Sequence, residues 1–375
     1  MKKMVRIGID GNEANLDVRV GVNTYAFNLI QSIHEIERKD VSITIFLKDE
    51  PKKHMPKEKD GFRYLVIKGS GQWIIKSLSP HLFKNRKNYD VFWSPSHYIP
   101  FTPFTPTACS IMDLGYLKFK SQFTTYDFWQ LTLWTSYSIV FSRAIFSISE
   151  STKKDIVKYY PFTKRKIVTT LLGFNQPKDG TAKSEIQKAK EKYGIEGKYY
   201  LFMSTLKPSK NIEGLLEAWK KFKGRKDTKL VIAGKKGWLF EQIFNKYKSL
   251  NLENSVIFTD FVEEIDKYPL ISGSSAFVLP SFWEGFGLDV LTAQSLGVPV
   301  LVSNVGSLPE VAGDGAVYCD PYKIDSITEG MELIYNFKNS EKQVIIDKAN
   351  ANIHRFSWNS AAKSTIDKLV EISRK

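Results

Sequence analysis

The chain has 375 residues, 42% hydrophobic and 25% charged, the balance of an ordinary soluble globular protein long enough for two cores. Its only cysteines, Cys109 and Cys319, exclude a disulfide framework and a cysteine metal site, and make a reducing cytoplasm the expected compartment. The formal net charge of +14 is uneven: residues 1–175 hold 26 Lys and Arg against 15 Asp and Glu, so +11, leaving +3 for the rest.

The opening MKKMVRIGID turns charged again before a signal-peptide core could form, so no leader is expected. A buried strand is predicted at 5–9 and ends at Asp10-Gly11-Asn12; a loop through Gly21 then leads to a helix over about 24–36. Strand, glycine-bearing loop and helix open a doubly wound α/β domain. Residues 51–90 form the densest basic stretch, with Trp73, Ile74, Ile75, Leu82 and Phe83 among the lysines. This is either a solvated basic face or a contact with an anionic membrane surface or an anionic lipid-linked acceptor. Nucleic acid is a weaker third reading, since no nucleic-acid module is recognised.

Further apolar runs at 42–46, 64–67, 91–93, 108–112 and 144–148 alternate with helix-like or loop segments, which argues for a parallel sheet with crossover helices. The best candidate for a membrane span, 128–148, is interrupted by Gln130, Arg143 and several Ser and Thr, which argues against a span. His97 is read as structural or surface, and Ser149 as a helix N-cap. Residues 173–198 are polar and lysine-rich, a linker plus a short helix. A second sheet is then predicted from runs at 199–203, 229–233, 256–260, 276–279, 298–302 and 316–318. The tail 357–374 has helical spacing of Ala361, Ala362, Ile366, Leu369, Val370 and Ile372.

The segment AFVLPSFWEGFGLDVLTAQSLGVPVLV organises the second half: a strand stopped by Pro280, a loop, a short helix from Leu288 ending before Gly297, and another strand. Gly285 and Gly287 let the backbone pass close to a ligand, and amides at the helix start suit a phosphate. Glu284 can only accept hydrogen bonds as a carboxylate, so it suits sugar hydroxyls rather than phosphate. With LGVPVLVSNVGSLPEVAGDGAVYCDP after it, this segment resembles the donor-site signature of retaining glycosyltransferases of the GT-B fold. Among them it is most similar to the bacterial group of glycosyltransferase family four that uses nucleotide-diphosphate sugars.

That resemblance runs across nearly the whole chain. It implies two doubly wound, Rossmann-like domains facing across a cleft: 1–175 on the acceptor side, 176–355 binding the nucleotide sugar, and a last helix, 356–375, crossing back to the first domain. It sets a glycine such as Gly21 against the donor diphosphate, and makes Asp113, a landmark near the cleft, a catalytic candidate with Glu284 and Lys210. In STLKPSKNIEGLLEAW, Lys210 matches the family's phosphate-binding lysine; Lys207 is open between phosphate and solvent. IAGKKGW, with Gly234 and Lys235, and Phe261 and Val262 lie where members hold the nucleotide. Gly285, Phe286, Gly287 and Leu288 offer amides, and Glu284 is the strongest site residue. Three positions depart from the pattern: Met112 where a His precedes Asp113, Ser209 before Lys210, and Thr292 where a second glutamate would hold the ribose. Glu310 is read as serving the first turn of a helix.

No cluster has metal-ligand spacing, so amides and lysines are expected to replace a cation, with no metal cofactor. The resemblance thus implies a retaining, metal-independent hexosyltransferase in polysaccharide or cell-envelope synthesis. Its donor would be a GDP- or UDP-sugar, with mannose from a guanosine donor suggested by the look of the family, and its acceptor a glycan or a lipid-linked species. It would work in the cytoplasm or peripherally on the inner face of the membrane. The three departures keep a second reading open: a catalytically impaired partner subunit of another transferase.

Overall fold

A computed structural model describes residues 4–19, 21–101, 105–175 and 181–374. Part of the expected linker, 176–180, and with it the start of the expected second domain, lie outside the described residues, as do the first three residues of the opening segment. The chain divides into two units. One comprises Met1–Gly173 with Phe356–Lys375, and the other is Phe174–Arg355.

The first unit is built on a seven-stranded, all-parallel sheet. Its strands are β1 (Val5–Asp10), β2 (Val41–Leu47), β3 (Phe62–Val66), β4 (Val91–Ser94), β5 (Thr107–Ile111), β6 (Ala144–Ser147) and β7 (Ile167–Thr169), in spatial order β3-β2-β1-β4-β5-β6-β7. The central strands β4, β5 and β6 are buried at every position, whereas the edge strand β3 is mostly half-buried. That is why the middle of the sheet reads as unbroken apolar runs. The order reverses direction between β1 and β4. At the end of the chain, the Trp358–Ser373 helix packs on the Val22–Glu35 helix and on β1, β4 and β6. Gly173 makes that approach possible: a Cβ there would lie 2.1 Å from the Trp358 backbone nitrogen.

The second unit repeats the plan with six parallel strands: β8 (Lys198–Met203), β9 (Thr228–Ala233), β10 (Val256–Asp260), β11 (Ala276–Leu279), β12 (Val300–Ser303) and β13 (Val317–Cys319), in order β10-β9-β8-β11-β12-β13. Its core includes Tyr199, Phe202, Trp219, Phe222 and Phe277, all with essentially no exposure. The reversal falls between β8 and β11, so the chain after β8 goes on to β9 on one side and the chain after β11 to β12 on the other. Such a point in an open α/β sheet is where ligands bind.

Two stretches of the first unit take a definite form, and the argument against a membrane span holds. The apolar residues among the basic 51–90 stretch are largely core: Trp73, Leu78 and Leu82 are buried with Phe46 and Phe92, and Ile74 packs on them. A π-turn at Ile74–Leu78 and a helix at Ser79–Lys84 turn these side chains inward. The candidate span at 128–148 divides into a 17-residue helix, Thr125–Phe141, and strand β6. Among the described residues, no helix is long and apolar enough to cross a membrane. Strand β7 was not foreseen.

Candidate functional site in the second unit

The loops that leave β8 and β11 at the reversal bring Lys210 and Glu284 together. After β8 the chain makes a short 3-10 turn, Pro208–Lys210, and starts the Ile212–Lys221 helix. After β11 it runs through 280–287 into the Leu288–Ser295 helix. A backbone bond from the Phe282 amide to the Ser209 carbonyl, 2.9 Å, ties the two loops. Lys210 Nζ donates to Glu284 Oε1 at 2.5 Å, with both side chains only 11% exposed. Ser281 Oγ donates to the same oxygen at 2.8 Å. A charge pair this enclosed loses hydration on both sides, so geometry and the added hydroxyl must compensate.

Asn211 fixes the lysine. It is buried, sits in the left-handed region at φ 54°, and donates from Nδ2 to the Pro280 carbonyl at 3.0 Å and the Pro321 carbonyl at 2.7 Å. Its backbone turns the chain sharply after Lys210, while its amide clamps the β11 loop. Ser307 fixes the glutamate from the other side. Its hydroxyl contacts the Glu284 carbonyl at 2.9 Å and the Phe286 carbonyl at 3.0 Å. Having one proton, it donates to one of them at a time. Ser303, at the end of β12, donates to the Ser281 carbonyl at 2.6 Å. Gly287 caps the Leu288–Ser295 helix at φ 101°, where a Cβ would also meet Leu308 at 2.8 Å. Positive φ and close packing together restrict that position to glycine. The Gly285–Phe286–Gly287 turn thus precedes a helix N-terminus, whose amides carry partial positive charge.

The other candidates of this unit sit at the same carboxyl edge of the sheet. Gly234 follows β9 at φ 150°, and a Cβ there would lie 1.8 Å from the Ser204 carbonyl oxygen, so glycine is required for the β8 and β9 loops to touch. Lys207 lies over the Trp238 ring at 5.0 Å, and Lys235 over the Phe261 ring at 4.4 Å. Phe261 is exposed, whereas Val262 packs on the core. Thr292 is buried one helical turn in, and its hydroxyl donates back to the Leu288 carbonyl at 3.3 Å. Glu310 lies in the first turn of the Leu308–Ala312 helix.

Two candidates belong to the first unit. Gly21 starts the Val22–Glu35 helix at φ 53°, with nothing within 4 Å of where a Cβ would stand; its conformation, not crowding, calls for glycine. Asp113 follows β5, and its Oδ1 accepts from the Gly115 amide at 2.7 Å, while the Met112 carbonyl accepts from Thr152 Oγ1 at 2.9 Å. Burial pushes the His97 imidazole down to about 4, so it is neutral at ordinary pH. Asn211, Ser281 and Ser307 were missed from sequence. Isolated Asn and Ser residues carry no spacing signal when their partners are carbonyls or carboxylates brought in by other loops.

Two parallel sheets of this kind, each wrapped by helices, define the GT-B class of glycosyltransferase folds. Structures of Anabaena Alr3699/HepE in complex with UDP and glucose (TM-score 0.72, 16% identity, 98% and 99% of the two chains) share the fold. So does WaaG, a glycosyltransferase involved in lipopolysaccharide biosynthesis (TM-score 0.69, 13% identity, 98% and 99%). Residues 183–351 match the family described as Glycosyl transferases group 1, which encloses the whole Lys210–Glu284 site. Among curated relatives, O-antigen chain mannosyltransferase B of Escherichia coli is 30% identical over 230 residues, 60% of either chain. The serotype-specific mannosyltransferase WbdA of Escherichia coli is 29% identical over 230 residues, 60% of this chain and 28% of WbdA. The match therefore spans three fifths of the first relative and under a third of the second.

Proposed function

We propose that the protein is a retaining glycosyltransferase of family four, moving a hexose from a nucleotide-diphosphate sugar to a glycan or lipid-linked acceptor. The observation that carries this reading is the Lys210–Glu284 pair, held at the sheet's switch point beside a glycine-capped helix start. On this reading the Lys210 ammonium and the amides after Gly285 take up charge growing on the departing diphosphate. Glu284 holds donor hydroxyls, and the acceptor attacks the face that the diphosphate leaves. Lys207, Lys235, Gly234 and Phe261 border the nucleotide. Asp113, as a catalytic candidate, and Gly21, as a donor-binding one, are residues of the first unit and rest on the family resemblance. Charge on the leaving group is carried by lysine and amides, so no metal is required.

The named relatives support mannose as the sugar, and HepE, crystallised with UDP, shows a nucleotide bound on this fold in that protein. Both cysteines are buried free thiols, which supports a cytoplasmic setting. The impaired-partner reading is not favoured: the relatives are named as transferases, and the Lys210–Glu284 pair is assembled despite Ser209 and Thr292.

The test is nucleotide release from a panel of GDP- and UDP-sugars. Slow hydrolysis of one donor is expected, unchanged by EDTA and reduced about 100-fold or more in Glu284→Ala and Lys210→Ala. Silence with every donor, with release appearing only when a second transferase is added, would overturn the reading in favour of the partner subunit.

A further inference from the structure

In the first unit, the loop that follows β4 lays a row of aromatic side chains along the Thr125–Phe141 helix. Tyr98 meets Trp134 edge-on at 4.7 Å between ring centroids, and His97 lies 4.0 Å from Tyr98. Phe101 meets Tyr137 at 4.6 Å, and Tyr137 meets Phe141 at 4.6 Å. Trp134, Tyr137 and Phe141 stand at helical spacing, so they share one face and extend over about 10 Å of the helix axis. Two bonds hold the loop to that helix: Trp134 Nε1 donates to the Ile99 carbonyl at 3.3 Å, and the Ile99 amide donates to Ser138 Oγ at 3.2 Å. None of these rings is fully buried. Phe101 is 42% and Phe141 62% exposed, and Tyr98, Trp134 and Tyr137 are half-buried.

The row begins at the β1/β4 reversal, the switch point of the first sheet, where polar groups gather. Glu13, in the loop after β1, accepts from Asn23 Nδ2 through Oε2, and burial pushes its carboxyl up. Burial also pushes the Tyr98 phenol up, with the Glu13 and Asp127 carboxylates beside it, so the hydroxyl stays a neutral donor. His97 Nε2 is buried with no hydrogen-bond partner among the described residues. A buried polar atom left unpaired costs free energy until a ligand pairs with it. A hydroxyl suits either tautomer of the imidazole, since it can donate or accept.

We infer that this row is a track for an oligosaccharide acceptor: Glu13, His97 and Tyr98 hold its terminal sugar, and Trp134, Phe101 and Tyr137 stack against the sugars behind it. A sugar presents hydroxyls around its rim and apolar C–H groups on its faces. Carboxylate, imidazole and phenol read the first, and aromatic rings cover the second. The row is longer than one sugar ring, which selects a chain of them. The charges beside Tyr98 are both negative, which opposes the phosphate of a lipid-linked acceptor. The inference rests on the transferase reading for what the track is used for. It is read by glycan binding alone, so its failure leaves the donor chemistry standing.

The experiment is calorimetric titration of the full chain with manno-, gluco- and galacto-oligosaccharides, from the monosaccharide to the tetrasaccharide. In one series the affinity is expected to rise about tenfold or more with length, because each added sugar covers further apolar area. Tyr98→Phe, which removes only a hydroxyl, should lose about fivefold at every length. Phe101→Ala, changed at an exposed position, should erase the gain of the longer glycans and leave the disaccharide unaltered. Both variants should keep the wild-type circular dichroism and the wild-type nucleotide release. No binding in any series, or an affinity that stays flat with length, would overturn the proposal. So would an unaltered length dependence in Phe101→Ala, which would take the rings out of the site. Nucleotide release, measured in parallel, judges the transferase reading separately: its absence beside length-dependent glycan binding would withdraw the transfer and leave the glycan site.

Discussion

At the scale of single residues, the Lys210–Glu284 pair depends on side chains that hold the loops around it. Asn211 joins a left-handed backbone position to two carbonyls, 69 and 110 residues away in the chain. Asn211→Ala removes both bonds and leaves alanine at positive φ. It should destabilise the second unit by about 2–4 kcal/mol, measured by urea denaturation. Asn211→Gly keeps the turn and loses only the bonds, so it should recover about 1 kcal/mol of that. If both variants unfold like the wild type, the clamp has no energetic weight.

Asp10 offers a second residue-scale test. It ends β1, is buried, and burial lifts its carboxyl from 3.8 to about 6, against two hydrogen bonds from Asn12. A folded-state value above the unfolded one means that the folded chain holds the proton more tightly. The stability this contributes is complete below about pH 4 and is lost as pH rises through 6. His97 acts in the opposite sense over the same window, its burial costing stability as pH falls from 6.5 toward 4. The difference between Asp10→Asn and wild type isolates the carboxyl. The variant should match wild type near pH 4 and exceed it above pH 7, by about 2–3 kcal/mol. Melting temperatures from pH 4 to 8 that run parallel would show that Asp10 is not the group concerned.

At the scale of elements, legibility followed burial. Strands β4, β5, β6, β11 and β12 are buried throughout, so each stood out as an apolar run near its true bounds. β7 did not, because it is three residues long and follows Lys164-Arg165-Lys166. The Glu284 loop was legible because a glycine-capped helix start leaves a compact local pattern. Its supports were not: Ser281 is three residues from Glu284, but Ser307 and Asn211 arrive from the loops after β12 and β8. Composition alone left the basic 51–90 stretch open; of its apolar residues Trp73, Leu78 and Leu82 belong to the core, Ile74 packs on it, and Phe83 is exposed. The Thr125–Phe141 helix exposes more apolar surface, and its sequence looks like a short interrupted membrane span because both of its faces carry apolar residues. Periodicity reports whether a helix has a polar face; it does not say what covers an apolar one.

At the scale of the molecule, the second unit is continuous, whereas the first is closed by chain that leaves at Gly173 and returns at Phe356. The returning helix buries Ala362, Ile366 and Leu369, and Trp358 sets its ring 6.5 Å from Tyr25. Removing 356–375 therefore strips the first unit of part of its core and leaves the second unit's sheet and its Lys210–Glu284 site whole. Full burial of a larger aliphatic side chain such as Ile366, Leu369 or Ile372 is worth about 1.5–3 kcal/mol, so the loss is comparable with the stability of a whole domain. The truncated chain should show the first unit's transition abolished or far lowered on heating, with the second unit's preserved. A nucleoside diphosphate that binds the native second unit should raise that surviving transition. At one hundred times its dissociation constant it adds about 2.7 kcal/mol. GDP and UDP can be compared directly in this way, and the nucleotide giving the larger shift identifies the base. Loss of both transitions together would mean that the last helix supports the second unit as well. A surviving transition that neither nucleotide moves would place donor recognition outside the second unit's own residues, and the role given to Lys210 and Glu284 would have to be withdrawn.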